Sequence, residues 1–235
     1  MAELCFVLVR PAVPENVGAA ARALKTMGFS QLRIVGSEAH LDKRARILAH
    51  GSGDILDDIR AYPDLASALA DVDFSIGSSA KKRHGVRYNL SPKQLRETLE
   101  AKGETVRRAA LVFGCEESGL SNDELALCDT LTSIPLATDY PSLNLAQAVM
   151  LYAYELAALA AAPAASADSG EWAALKQRLQ LLLATLEIPA DGKLARWLDE
   201  RTAMLAQDDV RFLHQLVSEL ERRHTPATGT DRGAG

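Results

Sequence analysis

Short runs rich in β-branched and aliphatic residues alternate with stretches of helical spacing from the start of the chain to Ile134, and this alternation constrains the fold more than any other feature. The runs are Leu4–Val9, Leu32–Val35, Phe74–Gly77, Ala110–Phe113 and Leu131–Ile134. Strands separated by segments long enough for a helix do not join as hairpins; they lie parallel, and the intervening helices cover the sheet. The expected fold class is therefore α/β, a parallel sheet with helices on both faces. Helical patterns fall at Asn16–Met27, Pro63–Ala70, Pro92–Leu99 and Asn122–Cys128, with Gly28 suited to a C-cap and Ser121 or Asn122 to an N-cap.

A longer helical pattern begins near Ser142 and is apolar on nearly every side through Leu159. One sheet face cannot bury such a helix, so it should face a second partner as well. Asn144, Gln147 and Glu155 interrupt it well short of a membrane span. The Leu4–Val9 run lacks a basic flank and a small-residue cleavage site, and reads as a first strand rather than a signal peptide. Ala161–Gly170, rich in Ala and Ser around Pro163, reads as a linker. The expected division is a first domain over residues 1–162, a linker over 163–170, a helical extension over 171–224 and a disordered tail over 225–235. In the extension, Trp172, Leu175, Leu179, Leu182, Leu183, Trp197, Leu198, Phe212, Leu213 and Leu216 supply apolar surface for a compact bundle.

Charge and cysteine usage narrow the functions. A net charge of −5 over 235 residues excludes nucleic-acid binding through an overall positive field, so any RNA contact must be local. One such place exists: Lys81, Lys82, Arg83, His84 and Arg87 follow one another closely, with Tyr88 available for stacking. The three cysteines form no C-x-x-C pair, and the five histidines show no metal-ligand spacing. Neither a disulfide framework nor a metal is expected, and reduced cytoplasm fits best.

Four stretches put small or polar residues at the carboxyl ends of expected strands, where open parallel sheets bind ligands. They are Asn16 to Arg22, Gly77 to Ala80, Phe113 to Leu120 and Pro135 to Ala148. Each has a plain structural reading. Gly77-Ser78-Ser79 would serve as a turn, Gly114 and Gly119 would admit positive φ, Ser142 and Asn144 would cap a helix, and Arg22 and Glu116 would be surface charge. No phosphate loop or G-x-G-x-x-G fingerprint competes with them.

Taken together and in order, these stretches resemble the SPOUT superfamily of methyltransferases, in its SpoU/TrmH branch. The motifs N-x-G-x-x-x-R, F-G-x-E-x-x-G-L and S-L-N-x-x-x-A match Asn16 to Arg22, Phe113 to Leu120 and Ser142 to Ala148. The likeness covers about Met1 to Ala162, and the extension adds a resemblance to TrmJ-type enzymes, which 2′-O-methylate nucleotide 32 of the tRNA anticodon loop. It implies a C-terminal trefoil knot, a homodimer with the Ser142 helix at its interface, and S-adenosylmethionine as methyl donor. The donor would be held by Ser78, Ser79, Ala80, Gly114, Glu116, Ile134, Leu136, Ser142 and Leu143. Catalytic positions would be Asn16, Arg22, Glu116, Ser142 and Asn144, and RNA would be met by Arg22, Lys81, Lys82, Arg83 and Arg87. A guanidinium is a poor proton acceptor, so Arg22 is expected to hold a phosphate and stabilise a developing alkoxide; Glu116 would orient Arg22 or the ribose, and Asn16 would fix the loop or bind near the ribose. TrmJ-type sequences commonly carry arginine where this chain has Cys115. Methylation of rRNA, or RNA binding without catalysis, are the competing functions.

Overall fold

The computed structural model of the chain describes residues 2–79, 89–138, 142–160 and 170–224. Seven strands form one sheet: β1 Glu3–Val9, β2 Leu32–Val35, β3 Arg60–Tyr62, β4 Phe74–Ser78, β5 Asn89–Leu90, β6 Arg108–Phe113 and β7 Thr130–Thr132. Their order is β3-β2-β1-β6-β4-β7-β5, and every pair is parallel. The five strands expected from the sequence are all present. The two it did not announce, β3 and β5, are short and lie at the sheet's edges, where little apolar surface is needed.

Ten α-helices are described: α1 Pro14–Thr26, α2 Lys43–Ala49, α3 Gly53–Asp57, α4 Leu65–Leu69, α5 Pro92–Lys102, α6 Asn122–Ala126, α7 Leu145–Ala160, α8 Glu171–Thr185, α9 Lys193–Ala203 and α10 Gln207–His224. α1 starts two residues earlier than its pattern suggested because Pro14 fits the first helical turn, where a missing N–H costs nothing. Gly28 follows the helix at φ 85°, as a left-handed cap requires. Ser121 and Glu124 form a capping box that opens α6.

Both sheet faces are covered, unequally. On one face Phe6, Leu8, Ile34, Phe74, Ile76, Leu111 and Phe113 meet α1, α5 and α7 in the main core. On the other, Cys5, Val7, Val9, Ala110 and Val112 meet the short helices α4 and α6 together with Leu120 and Cys128. Burial pushes the Cys5 thiol up to about 11. α2 presses on α1 so closely that a Cβ at Gly18 would lie 1.9 Å from the Ala45 carbonyl oxygen. The glycine of the first motif therefore serves helix packing.

The extension does not build a core of its own. Trp172, Leu175, Leu179, Val210 and Val217 are buried in the main core, and the Trp172 ring stands edge-on to Phe74 at 5.1 Å between centroids. Trp197, Phe212 and Leu216, expected to pack within a bundle, are exposed. The docking uses the amino-terminal end of the sheet. Lys176 pairs with Asp129, just before β7, and the Trp172 indole N–H donates to the Thr202 carbonyl at 2.9 Å. Lys102, at the end of α5, is fully buried with its ammonium 4.3 Å from the Phe74 centroid and 4.6 Å from that of Trp172. Desolvation lowers its pKa to about 7, against the pull of Asp129.

Candidate active site

Parallel register brings the carboxyl ends of β4, β6 and β7 level: Gly77 lies beside Val112, and Ser78 beside Thr132. Beyond these ends opens a cleft of about 380 Å³, within the range of small-molecule sites. Ser78, Ser79, Gly114, Glu116, Ile134, Leu136, Ser142 and Leu143 all line it. These are the cofactor residues expected from the sequence apart from Ala80, which lies outside the described residues, as do Lys81, Lys82, Arg83 and Arg87. The sequence reading had missed Leu145 and Tyr152, which enter the lining from α7, and Glu117 and Ser118 from the β6–α6 loop. Helical spacing of four from Asn144 through Ala148 would have pointed to Tyr152.

The β6–α6 loop folds back on itself, with Cys115 bridged to Gly119 and the Gly119 N–H donating to the Cys115 carbonyl at 2.9 Å. A Cβ on Gly114 would fall 2.0 Å from the Gly119 carbonyl carbon. Gly114 is thus needed because two backbone segments touch. Gly119, at φ 69°, makes the turn.

Three motif side chains meet beside this loop. The Glu116 carboxylate accepts from the Ala12 amide at 2.9 Å, the Val13 amide at 3.3 Å and the Asn16 side-chain amide at 2.8 Å. Asn144 donates from its side-chain amide to Asn16 Oδ1 at 2.8 Å. Asn144 also caps α7, its Oδ1 accepting from the Ala146 amide at 2.8 Å. Burial pushes the Glu116 carboxyl up, but the amides of Ala12, Asn16 and Val13 outweigh it and hold its pKa below the ordinary value. Glu116 and Asn16 therefore spend their polar atoms tying the motifs together. Among the described residues, Glu116 makes no hydrogen bond or ion pair with Arg22.

Arg22 stands apart. It is exposed, it is absent from the cleft lining, and it lies roughly 120° around α1 from Asn16. Among the described residues it has no ion-pair partner. Cys115 lines the cleft, and its thiol pKa is lowered, first by the Ser118 hydroxyl and lastly by Arg10. No group of His, Cys, Asp and Glu among the described residues could hold a metal ion, and no described helix is long and apolar enough to cross a membrane.

A parallel sheet with a mixed polar and apolar cleft at its carboxyl ends, bounded by a glycine-bent loop and a capped helix, defines an α/β enzyme that takes a small-molecule cofactor. Comparison with known proteins makes this specific. Residues 3–154 match the SpoU rRNA Methylase family, and residues 169–224 match the C-terminal domain of tRNA/rRNA methyltransferase LasT. The chain belongs to the SpoU methylase family and is an S-adenosylmethionine-dependent methyltransferase. It is 50% identical over 225 residues to an Escherichia coli K12 protein named "Uncharacterized tRNA/rRNA methyltransferase LasT", covering 94% of this chain and 99% of that one. It is 44% identical over 156 residues to the tRNA (cytidine/uridine/adenosine-2′-O-)-methyltransferase TrmJ of Pseudomonas aeruginosa, across 64% of this chain and 58% of the relative. The crystal structure of TrmJ from Z. mobilis ZM4 superposes with a TM-score of 0.64 at 29% identity, over 94% of this chain and 100% of the other.

Proposed function

We propose that the chain methylates the ribose 2′-hydroxyl of tRNA, with nucleotide 32 of the anticodon loop as the target, and that the cleft between the β6–α6 loop and Ser142 holds S-adenosylmethionine. The observation that carries this reading is the meeting of Glu116, Asn16 and Asn144 beside that cleft. Three sequence-distant motifs are locked together where the lining offers what the donor needs. Ser78, Ser79, Ser118 and Ser142 supply hydroxyl and backbone hydrogen-bonding groups, while Leu120, Ile134, Leu136 and Leu145 supply an apolar wall for a purine. Bound there, S-adenosylmethionine supplies a sulfonium methyl group for in-line displacement by the ribose oxygen.

This chain's residues contribute alignment, which is worth up to roughly 7–11 kcal/mol in ideal near-attack geometry. Glu116, held ionised by three donors, fixes the cleft loop. Asn16 passes that constraint to Asn144 and so to the start of α7. Arg22, exposed and outside the cleft of its own chain, acts on a substrate shared with a second copy: its guanidinium grips a phosphate and stabilises the forming alkoxide. We accordingly read the protein as a homodimer joined through α7, whose Met150, Leu151 and Tyr154 are exposed. The basic run from Lys81 to Arg87 meets further phosphates. A trefoil knot at the end of the first domain is consistent with β7 lying between β4 and β5, two strands that precede it in the chain. The chain is read as cytoplasmic, divided at residues 1–162, 163–170, 171–224 and 225–235.

The test is incubation of purified protein with labelled S-adenosylmethionine and separate tRNA and rRNA pools, followed by mapping of ribose methylation. Label in tRNA at the expected nucleotide supports the proposal. Label only in rRNA transfers the activity to that substrate, and RNA binding without label refutes catalysis. Arg22→Ala should preserve donor affinity and lower transfer by about two to three orders of magnitude.

A further inference from the structure

The segment that leaves β1 makes two separate attachments to the region forming the cleft's far wall. One is the set of Ala12, Val13 and Asn16 donors to Glu116. The other is a bidentate pair between the Arg10 guanidinium and the Glu124 carboxylate, which are 114 positions apart in sequence; its longer arm, to Oε2, measures 3.2 Å. Glu124 closes the cleft loop as well, because the same Oε2 accepts from the Ser121 amide at 2.7 Å and the Ser121 hydroxyl accepts from the Glu124 amide at 3.2 Å. Glu116 therefore anchors the loop near its start, and Glu124 anchors it at its end. The Arg10 backbone is held at φ 48°, a conformation that costs a non-glycine residue energy and persists only where surrounding contacts fix it. Its amide donates to the Val35 carbonyl at 2.8 Å.

We infer that Arg10 is a positioning residue for the donor site, acting through Glu124 to hold the 114–121 loop against the β1–α1 segment. The inference rests on the reading that this cleft binds S-adenosylmethionine. The Glu124 side chain is only 13% exposed, while Arg10 remains 47% exposed. Such a pair adds little to global stability but, being bidentate, is well suited to fixing geometry. It also places a guanidinium near the Cys115 thiol, which lines the cleft.

The test uses the full chain with Arg10→Gln, Glu124→Gln and the double variant. Glutamine at position 124 keeps an oxygen for the Ser121 amide, so the cap on α6 survives while the charge pair is lost. Each single variant should weaken S-adenosylmethionine affinity by about threefold to tenfold, and the double variant should be no worse than either, as coupled positions require. The KM for the donor should rise with kcat at saturating donor nearly unchanged, the melting temperature should hardly move, and Arg10→Lys should recover part of the affinity. Unchanged affinity in the single variants, or fully additive losses, would overturn the inference. A further variant, Leu136→Trp, crowds the exposed cleft wall without touching the loop. If it leaves donor affinity intact, the cleft is not the donor site and the inference falls with that reading; if it abolishes binding while Arg10→Gln has no effect, only the role of Arg10 is lost.

Discussion

Replacing Trp172 by alanine should unlatch the extension from the sheet, and the structure sets the size of the effect. The side chain is 1% exposed, it packs on Phe74 in the main core, and truncating such an aromatic residue typically costs about 3–5 kcal/mol. Loss of the indole donor to the Thr202 carbonyl adds about 1 kcal/mol, and Lys102 loses one of its two aromatic faces. The sum, about 4–6 kcal/mol, is a large share of the 5–15 kcal/mol that holds a typical protein folded. Urea unfolding followed by circular dichroism measures it. The control Trp172→Phe keeps the ring contact and should lose only about 1–2 kcal/mol. The cleft should be unaffected, because it lies at the other end of β4, roughly 13 Å of strand from Phe74. A loss below about 1 kcal/mol for Trp172→Ala would refute the reasoning and show that the extension rides loosely on the sheet.

Glu116→Gln removes a charge that three donors hold in place and should lower methyl transfer at least about tenfold while costing about 1–3 kcal/mol. Because the folded pKa of Glu116 is depressed, its stabilisation is present above the unfolded value and is lost as pH falls through the folded one. The variant's acid limb in a stability-versus-pH titration should therefore be shallower than the wild type's. Lys102 behaves in the opposite sense. With its pKa lowered to about 7, the unfolded chain binds the extra proton above that pH, so wild-type stability should rise from about pH 7 toward the unfolded value, and Lys102→Met should flatten the rise and stabilise the protein most at low pH. Tyr154, 68% exposed on α7, should when changed to glutamate yield monomers in sedimentation, with methyl transfer lost; soluble, active dimers would put the interface elsewhere.

The core strands were legible because strands buried on both faces must be largely apolar, as Leu4–Val9 of β1 and Ala109–Phe113 of β6 are; β2 breaks the pattern only with Arg33, which is buried and paired with Asp71. Edge strands carry no such demand, and the Arg60-Ala61-Tyr62 run of β3 gave no signal. Helix α2 escaped for a related reason: only Ala45 and Ala49 of it are buried, leaving Lys43, Arg44 and Arg46 to read as loop. The four cleft-forming stretches stood out because ligand sites in parallel sheets gather at strand carboxyl ends; the particular residues came from the resemblance to the SpoU/TrmH branch. Their mutual contacts were not, since Glu116 reaches Asn16 across 100 positions and Asn144 reaches it across 128. No periodicity in the chain encodes such a meeting. Gly18, inside the first motif, and Gly114 both serve backbone close approach, to Ala45 and Gly119 respectively, which a sequence cannot distinguish from room left for a ligand. The extension was read as self-contained because its apolar residues suffice for a bundle; that Trp172 and Leu175 belong to the main core depends on where the chain returns after Ala160.

The most direct test of the account is a crystal structure of the protein with S-adenosylhomocysteine, the product left when the methyl group has gone. Density for the ligand should fill the cleft between the 114–120 loop and Ile134, Leu136, Ser142 and Leu143, with Ser78, Ser79 and Leu136 in contact and the links from Glu116 to Asn16 and from Asn16 to Asn144 intact. Ligand bound anywhere else, or a cleft that must break those links to admit it, would contradict the assignment.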